Sequence, residues 1–297
     1  MKTLRDEQDT RETAERARSD VAEIAQPSGR WLWPGARWWS FWRRTLTTTL
    51  PAVALLAALV LLWQWYASQP GIDAQILPTP LAVWNVLTGQ RDILWQHMLV
   101  TLQETVIGFA LALAAGVIGG TVIDFSPWLR RAIYPLLVTS QTIPIITLAP
   151  LLVLWFGFGL ASKSIVVLLV CFFPIVVALA DGLRAADPEL IRLFRAFGAG
   201  RFRIFWSVRL PGALPTLFSG IRIAIAYSVV GAIFGEYVGA SAGLGFYMQL
   251  KQHSFATAGV LAAIVVTALL SVALFASVAL IERLALPWYY LQRQRQA

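Results

Sequence analysis

The sequence predicts an all-α integral membrane protein with about six transmembrane helices. Its composition is 58% hydrophobic and 13% charged, with a mean hydropathy of +0.66. A soluble domain usually carries about twice that share of charged residues. The chain also contains six charge-poor apolar stretches of roughly 20 residues, the length that a helix needs to cross hydrocarbon. We place these spans at residues 50–66, 99–123, 132–155, 164–181, 217–238 and 259–281.

The residues before the first span differ from the rest of the chain. Residues 1–45 are predicted to form a polar cytoplasmic tail that ends in an interfacial anchor, and residues 46–297 to form the transmembrane domain. The tail does not carry the early apolar core of a secretory signal. Its last part combines tryptophans with arginines, a mixture that favours the headgroup level of a membrane. The anchor residues are Trp31, Trp33, Trp38, Trp39, Trp42, Arg43 and Arg44.

Orientation follows from the distribution of the 24 lysines and arginines, because cytoplasmic flanks of spans retain positive charge. Nine precede the first span, two follow the second, six lie between the fourth and fifth, and three follow the last. The opposite side holds only Arg91, Lys163 and Lys251, and Arg222 is expected at the start of the fifth span. Both termini are therefore predicted to be cytoplasmic. The net charge of +8 indicates topology and anionic-lipid contact rather than nucleic-acid binding, since it is spread over several flanks.

A short interfacial helix is predicted between the first and second spans. Thr79 suits the N-cap and Pro80 the first helical position, and the apolar residues 81–87 follow. This stretch is too short to span the membrane.

The most informative segment is a basic, amphipathic block inside the loop 182–215. Asp187 suits an N-cap, Pro188 the first helical position and Glu189 the positive end of the helix dipole, so a helix is predicted to begin there. Apolar residues at three- and four-residue spacing give it one apolar face and one cationic face. A glycine break at Gly198 precedes a second basic and aromatic turn. The prolines at 211 and 215 are expected to stop that turn before the fifth span.

We interpret this block as a docking surface for a partner. Its candidate residues are Asp187, Glu189, Arg192, Arg195, Gly198, Arg201, Arg203, Leu210 and Pro211. The alternative is an amphipathic loop that lies on lipid headgroups.

Polar residues inside spans are the candidates for a transport pathway, because they are costly in hydrocarbon and usually face a bundle interior or a wet cavity. They are Gln103, Glu104 and Thr105 in the second span, Ser140, Gln141 and Thr142 in the third, and Tyr227, Ser228 and Glu236 in the fifth. For Gln141 and Tyr227, hydrogen bonding between helices is the alternative. Glu104 and Glu236 have a further alternative, a position at the outer interface.

The chain shows no recognisable chemistry of its own. It has one cysteine, Cys171, which is expected to be a small core residue. The two histidines lie far apart, and neither a phosphate-binding loop nor a nucleophile elbow occurs. No catalytic residue, metal site or cofactor is therefore predicted, and energy for any transport must come from elsewhere.

The block and its flanks resemble the permease subunits of bacterial ABC importers, in the group that includes taurine, alkanesulfonate and nitrate permeases. That group's signature is E-A-A-x-x-x-G followed nine residues later by I-x-L-P. Gly198 and Val208-Arg209-Leu210-Pro211 fit this spacing, whereas Arg192-Leu193-Phe194 stand in place of Glu-Ala-Ala. The resemblance continues through Gly220-Ile221-Arg222, Gly235-Glu236 and Gly243-Leu244-Gly245, over roughly residues 76–281.

A finer resemblance is to permeases for thiamine-precursor pyrimidines and riboflavin. It rests on the segments 141–144, 149–151, 155–159, 172–174 and 235–240. It implies a flat aromatic substrate to which Gln141 hydrogen-bonds and on which Trp155 or Tyr237 stacks.

The resemblance implies a type I importer permease fold and a coupling helix in the loop. It also implies a set of partners: a cytoplasmic subunit that binds ATP and Mg, a periplasmic or lipid-anchored binding protein, and a second permease copy in a bacterial inner membrane. The alternative is an ion-coupled secondary transporter, which more often carries carboxylates near the middle of its spans.

Overall fold

A computed structural model describes residues 34–289, with side chains described from Leu50 onward. The side chains of the predicted tail and anchor all lie outside the described part of the chain, so both remain predictions. The chain divides into two compact units after Leu62. The regular elements are α1 (Pro34–Ala67), α2 (Pro80–Gly89), α3 (Arg91–Phe125), α4 (Pro127–Ser140), α5 (Ile145–Phe156), α6 (Leu160–Arg184), α7 (Pro188–Ala196), α8 (Arg201–Ile204), a π-helical turn (Phe205–Arg209), α9 (Leu210–Tyr237), α10 (Leu244–His253) and α11 (Thr257–Ala285).

The prediction of an all-α membrane fold is confirmed. Within the described range, five helices are long and apolar enough to cross a membrane: Leu50–Ala67, α3, α6, the continuous Arg201–Tyr237 and α11. Helices α4 and α5 together meet the same criterion, which gives six spans if this bent pair counts as one.

The third predicted span, 132–155, is not one straight helix. Helices α4 and α5 meet at an angle of 100°. Pro144 lies at the break with extended backbone, φ −64° and ψ 116°. A proline has no backbone N–H and disfavours helical geometry in the residue before it, so the helix ends ahead of Pro144. The Thr142 and Thr147 hydroxyls donate to the carbonyls of Thr139 and Pro144, which satisfies acceptors that the break exposes.

Helices α3, α6 and α9 form the closely packed centre of the second unit, which begins at Trp63. Gly108, Ala112, Gly116 and Gly120 recur every fourth residue along α3, and all four are buried. A Cβ atom at Gly116 would lie 2.6 Å from Ile175 Cγ2 of α6, so the backbones approach as closely as glycine allows. Small residues at this spacing are typical of helix contacts in membranes. This stripe was not predicted, although its four-residue spacing is readable in the sequence.

The prolines at 211 and 215 do not stop the helical pattern. Both lie inside the continuous helix that runs from Arg201 to Tyr237. The turn before Pro211 is π-helical, and the Leu210 N–H donates to the Phe205 carbonyl five residues back. This wide turn absorbs the local disruption that a proline without an N–H would otherwise cause.

The short helix after the first span is confirmed as α2. The Thr79 hydroxyl accepts a hydrogen bond of 3.2 Å from the Ala82 N–H, as an N-cap does. Its Val83 side chain is buried in an apolar cluster with Leu94, Tyr247 and Leu270. The helix therefore packs on α3, α10 and α11, and its position at the interface stays a prediction. Helix α3 begins earlier than predicted, at Arg91, and α10 was not predicted at all.

Candidate functional site

The coupling segment, defined here as residues 187–207, begins as the sequence predicts. The Asp187 carboxylate accepts a hydrogen bond of 2.8 Å from the Glu189 N–H, and Pro188 opens α7. Along the chain, α7 therefore lies between two membrane spans, α6 and the long helix that contains α9.

The coupling segment exposes large apolar side chains outside the candidate spans or at their margin. Leu193 is 50% exposed and Phe197 is 81% exposed. Leu190, Phe202 and Trp206 are exposed as well. Within residues 50–289, the ion pairs found do not involve Arg192, Arg195, Arg201 or Arg203. Exposed apolar side chains beside cations that are absent from these ion pairs are typical of a docking site for another protein.

Gly198 ends α7 in the conformation that the turn requires. Its φ is +78°, and the Gly198 and Ala199 N–H groups donate to the carbonyls of Arg195 and Phe194. No atom lies within 4 Å of the position that a Cβ at Gly198 would take. The requirement for glycine is therefore conformational rather than steric crowding by neighbours.

Arg209, two residues after the coupling segment, is hydrogen-bonded to the two preceding long spans, α3 and α6. Its Nη1 and Nη2 atoms lie 2.6 and 2.8 Å from the two carboxylate oxygens of Asp124, at the end of α3. Its Nε and Nη2 atoms also donate to the Leu183 carbonyl of α6, at 3.2 and 3.0 Å. The Asp124 side chain is only 3% exposed. Sequence reasoning treated Arg209 as one of several positive charges and missed this contact, whose partners lie far apart in the chain. We call this part of the molecule the Arg209 end.

A second polar cluster lies at the opposite end of α9, around Glu236. The Glu236 carboxylate accepts hydrogen bonds from the Thr101 hydroxyl, at 2.6 Å, and from the Gly245 N–H. The Leu244 N–H donates to Thr101 Oγ1 at 2.8 Å. The first turn of α10 is thus held by α3 and α9 together, and the carboxylate lies where a helix N-terminus favours negative charge. We call this part of the molecule the Glu236 end.

The glycines near α10 are explained by Glu236. Gly243 has φ +112°, a conformation that favours glycine, and its N–H donates to His97 Nδ1 at 3.0 Å. A Cβ at Gly243 would collide with the Glu236 carboxyl group, and one at Gly245 would lie 2.9 Å from Glu236 Oε2. Two of the segments that carry the family resemblance, 235–236 and 243–245, are therefore a single interacting unit.

A polar cavity of about 220 Å³ adjoins the Glu236 end. Its walls include Glu104, Phe158, Lys163 and Ser241. Glu104 is 4% exposed and Lys163 2% exposed, and the Lys163 ammonium donates to the Phe158 carbonyl. Glu104 and Lys163 thus face the same cavity. The Glu104 and Glu236 carboxyl groups are both buried in the protein.

The depth of this cluster follows from helix geometry. Glu104 and Asp124 lie 20 residues apart on α3. A helix rises 1.5 Å per residue, so the two carboxyl groups are about 30 Å apart, close to the thickness of the hydrocarbon core. Buried ionisable groups therefore lie about one hydrocarbon thickness apart along α3.

The remaining predicted pathway residues do not share one environment. Gln141 and Thr142 are exposed at the break between α4 and α5, and Trp155 and Tyr227 are exposed on α5 and α9. Ser228 is buried, and its hydroxyl donates to the Ile225 carbonyl of its own helix. The Tyr237 side chain is half-buried near Met248. A role for these residues in a pathway stays a prediction.

Arg222 is not at the start of its span, because α9 begins at Leu210 and Arg222 lies near its middle. Its Nε atom is 2.6 Å from Glu282 Oε2 of α11. An arginine within a membrane helix is expected to be paired in this way, because an uncompensated charge is costly there.

Cys171 is a fully buried core residue, as predicted, and its Sγ lies 3.2 Å from the Ala224 carbonyl oxygen. Among the described residues, no group of three or more His, Cys, Asp or Glu side chains is arranged to hold a metal ion.

About six apolar spans, an exposed coupling segment and an arginine just after it that is bonded to α3 and α6 are features expected of a membrane transport permease. The chain belongs to the family described as "Binding-protein-dependent transport system inner membrane component", which it matches over residues 104–286. It is an ABC importer permease of type I, a transport component located in the membrane. The resemblance inferred from the coupling segment is thereby confirmed.

Curated relatives support the same assignment. The chain is 40% identical over 67% of its length to a "Probable ABC transporter permease protein" of Haemophilus influenzae, of which it covers 81%. It is 36% identical over 77% of its length to the formylaminopyrimidine transport permease protein ThiX of Halalkalibacterium halodurans, covering 92% of that protein. It is 38% identical over 80% of its length to the riboflavin transport system permease protein RibX of Chloroflexus aurantiacus, covering 91% of that protein.

A solved structure shares the fold. It is an inward facing conformation of the MetNI methionine ABC transporter, matched with a TM-score of 0.53 and 22% sequence identity. The match covers 67% of this chain and 96% of the MetNI chain.

Proposed function

We propose that this permease forms the membrane pathway of an ATP-driven importer as one of two identical copies, and that its coupling segment binds a separate cytoplasmic ATP-binding subunit. ATP and Mg bind in that subunit. A periplasmic or lipid-anchored binding protein delivers the solute. The orientation places both termini and the Arg209 end in the cytoplasm, following the distribution of lysine and arginine.

The observation that carries this proposal is the joint geometry of the coupling segment and Arg209. Helix α7 presents exposed apolar side chains to solvent, so it has the surface that a partner needs. Two residues after this segment, Arg209 contacts α3 and α6 through charge-assisted hydrogen bonds. A docking surface without that clamp would serve as an anchor. With the clamp, it is suited to transmit motion.

The mechanism follows from these contacts. Closure of the ATP-binding subunits pushes α7, and the π-helical turn carries the displacement into α9. Because Arg209 holds Asp124 of α3 and the Leu183 carbonyl of α6, the three packed helices move as one body. A rigid-body rotation of this kind switches a pathway between two accessible sides, biased by the nucleotide state of the partner.

For the substrate, we favour a flat aromatic heterocycle such as a thiamine-precursor pyrimidine or riboflavin. Two relatives that the chain covers almost completely are named for such solutes. Gln141 is exposed at the break in the third span, where an amide can hydrogen-bond a ring nitrogen or carbonyl. Trp155, Tyr227 and Tyr237 offer aromatic faces, and Thr142, Ser228 and Glu236 complete the proposed pathway set. A sulfonate, taurine or nitrate-like anion is the second choice.

The buried cluster at the Glu236 end supports a different candidate, an ion-coupled secondary transporter. Glu104, Lys163 and Glu236 are all less than 5% exposed, and buried ionisable groups of this kind are common in proton or ion relays. However, Glu236 already accepts hydrogen bonds that hold α10, which gives it a structural purpose.

Uptake by proteoliposomes separates the two candidates. The full chain is reconstituted with its co-purified partners, and uptake of a labelled aminopyrimidine, riboflavin and taurine is measured with internal ATP or with an imposed proton or sodium gradient. We expect uptake with ATP alone and a preference for a heterocycle. Uptake driven by a gradient without ATP would contradict the importer proposal.

A variant of Gln141 tests the substrate pathway in the same assay. Gln141→Leu removes one hydrogen bond of about 1 kcal/mol, so the apparent affinity should fall about fivefold. ATPase capture should be unchanged, because Gln141 lies outside the coupling segment. An unaltered affinity would return Gln141 to a packing role.

A further inference from the structure

A cavity of about 460 Å³ opens beside the first half of α4, at the Arg209 end. Its walls include Arg130, Arg131 and Tyr134 from α4 and Asp181 and Arg184 from the last turn of α6. Three cations and one carboxylate therefore face the same space.

The single carboxylate is already engaged. Arg130 Nη2 lies 3.3 Å from Asp181 Oδ1, and the Tyr134 hydroxyl donates to Asp181 Oδ2 at 3.1 Å. The Arg130 guanidinium also lies over the Tyr134 ring, 5.5 Å from its centre. The ion pairs found between residues 50 and 289 do not include Arg131 or Arg184. Two guanidinium groups are thus left to bind an anion.

A neighbouring cavity adds to the positive potential. It has a volume of about 400 Å³ and shares Pro127 and Arg184 with the first. Arg195 and Arg201 of the coupling segment lie on its wall. Clustered charges of one sign focus the field within clefts with low-dielectric walls, so an anion is attracted to this region more strongly than to an isolated arginine.

One face of α4 adds an apolar track that leads away from the cations. The apolar residues Trp128, Pro135 and Val138 lie at helical spacing on the same face as Arg131. All four residues are exposed. Trp128 and Arg131 lie in the first turns of α4, at the level of Asp124 and the edge of the hydrocarbon core. Pro135 and Val138 lie deeper, toward the break with α5. A ligand that matches this face has an anionic head and an apolar tail.

We propose that this cavity binds the headgroup phosphate of an anionic phospholipid. A guanidinium group recognises phosphate through two parallel hydrogen bonds, which Arg131 and Arg184 are free to make. Tyr134 and Trp128 are residues that favour the headgroup level, and the acyl chain runs over Pro135 and Val138. Basic pockets between helices are known to hold such headgroups. This is a defined site rather than a general attraction of a basic flank to the membrane, and it does not depend on the identity of the transported solute.

The test measures lipid binding to the purified full chain by native mass spectrometry. The probes are phosphatidylglycerol, phosphatidylcholine and soluble glycerol phosphate. Each arginine near a membrane surface contributes about fivefold to the affinity for an anionic lipid. We therefore expect the double variant Arg131→Gln/Arg184→Gln to bind phosphatidylglycerol about 30-fold more weakly, with phosphatidylcholine unchanged. Glycerol phosphate should bind far more weakly than the lipid, because it lacks the acyl chain.

The matched control is Arg192→Gln/Arg283→Gln, which removes two exposed cations of the same kind outside this cavity. It should retain phosphatidylglycerol binding. Equal losses in both double variants would show that only net charge matters and would overturn the proposal. The proposal also fails if Arg131→Gln/Arg184→Gln keeps the lipid and loses the ATP-binding subunit, since the cavity would then be a protein contact. Tight binding of glycerol phosphate would indicate a soluble anion as the ligand instead.

Discussion

Arg209 and Asp124 form a bidentate ion pair, although they lie 85 positions apart in the sequence. Arg209 lies two residues after the coupling segment, and Asp124 lies in the last turn of α3. The pair therefore joins the coupling segment to the closely packed helices. The arginine also donates to the Leu183 carbonyl, which brings α6 into the same contact. This geometry accounts for how displacement of a loop can reorient membrane spans.

Breaking the pair should reduce both stability and coupling. In Arg209→Gln, the Asp124 carboxylate is left buried without its cation, which costs about 3 kcal/mol. We expect a lower thermal midpoint in detergent and slower uptake per ATP hydrolysed. Arg209→Lys should be intermediate, because lysine keeps the charge but not the paired hydrogen bonds.

The control for this variant is Arg91→Gln. Arg91 Nε lies 3.6 Å from Asp92 Oδ1, and the two side chains are 81% and 88% exposed. An exposed ion pair of this kind contributes about 1 kcal/mol or less to stability. Equal effects of the two variants would contradict a special role for Arg209.

Replacing Gly198 should uncouple transport without preventing insertion. A β-branched residue at φ +78° is strained by about 1 to 2 kcal/mol, so the turn after α7 would rearrange in Gly198→Val. Membrane levels are expected to stay near those of the unmodified chain while uptake is lost.

Gly200→Val provides the comparison for Gly198→Val. Gly200 has φ −70° and ψ 166°, which any residue adopts, and neither glycine has an atom within 4 Å of its Cβ position. Normal uptake in Gly198→Val, or equal losses in both variants, would refute the importance of the backbone conformation.

Helix packing predicts opposite outcomes for two nearby glycines of α3. A Cβ at Gly116 would lie 2.6 Å from Ile175 Cγ2 and 2.9 Å from Ile175 Cβ, and the latter atom cannot withdraw without moving α6. Gly116→Ala should therefore cost about 1 to 3 kcal/mol. At Gly119 the nearest atom would be 3.5 Å away, so Gly119→Ala should be neutral or slightly stabilising. Thermal unfolding of both variants in one detergent tests this, and a tolerated Gly116→Ala would disprove the close approach of α3 and α6.

At the Glu236 end, Gly243→Ala should destabilise the start of α10. The variant places a side chain at φ +112° and against the Glu236 carboxyl group, so a loss of about 2 kcal/mol or more is expected. Gly89→Ala is the control, because Gly89 ends α2 with open space around its Cβ position. Proteolysis of the loop before α10 reports the effect, and equal protection of the two variants would argue against the proposed contact.

The parts of the structure that sequence reasoning predicts well are local. The starts of α2 and α7 follow from an N-cap followed by proline, because the signals lie within a few adjacent residues. The turn at Gly198 is predicted for the same reason. Spans are predictable from hydropathy, since their length is set by the membrane.

The missed features depend on partners that are distant in the chain or on subtle backbone geometry. The Arg209–Asp124 pair and the burial of Glu236 depend on how helices pack, which a charge count does not reveal. Pro211 was expected to stop a helix, but a π-helical turn before it accommodates the missing N–H. Conversely, Pro144 does break its span, although the apolar pattern of 132–155 runs through it. Each proline's effect is decided by its surroundings rather than by its presence.

The most direct test of the central claim is capture of an ATP-binding subunit by the coupling segment. The tagged full chain is purified from its host in mild detergent, and co-purifying proteins are identified by mass spectrometry. The comparison is Leu193→Asp/Phe197→Asp, which places charge on two exposed apolar side chains of the segment. We predict that an ATP-binding subunit is recovered with the unmodified chain and lost with this variant. Recovery of a correctly inserted chain without any ATP-binding subunit, or equal recovery with both forms, would contradict the account.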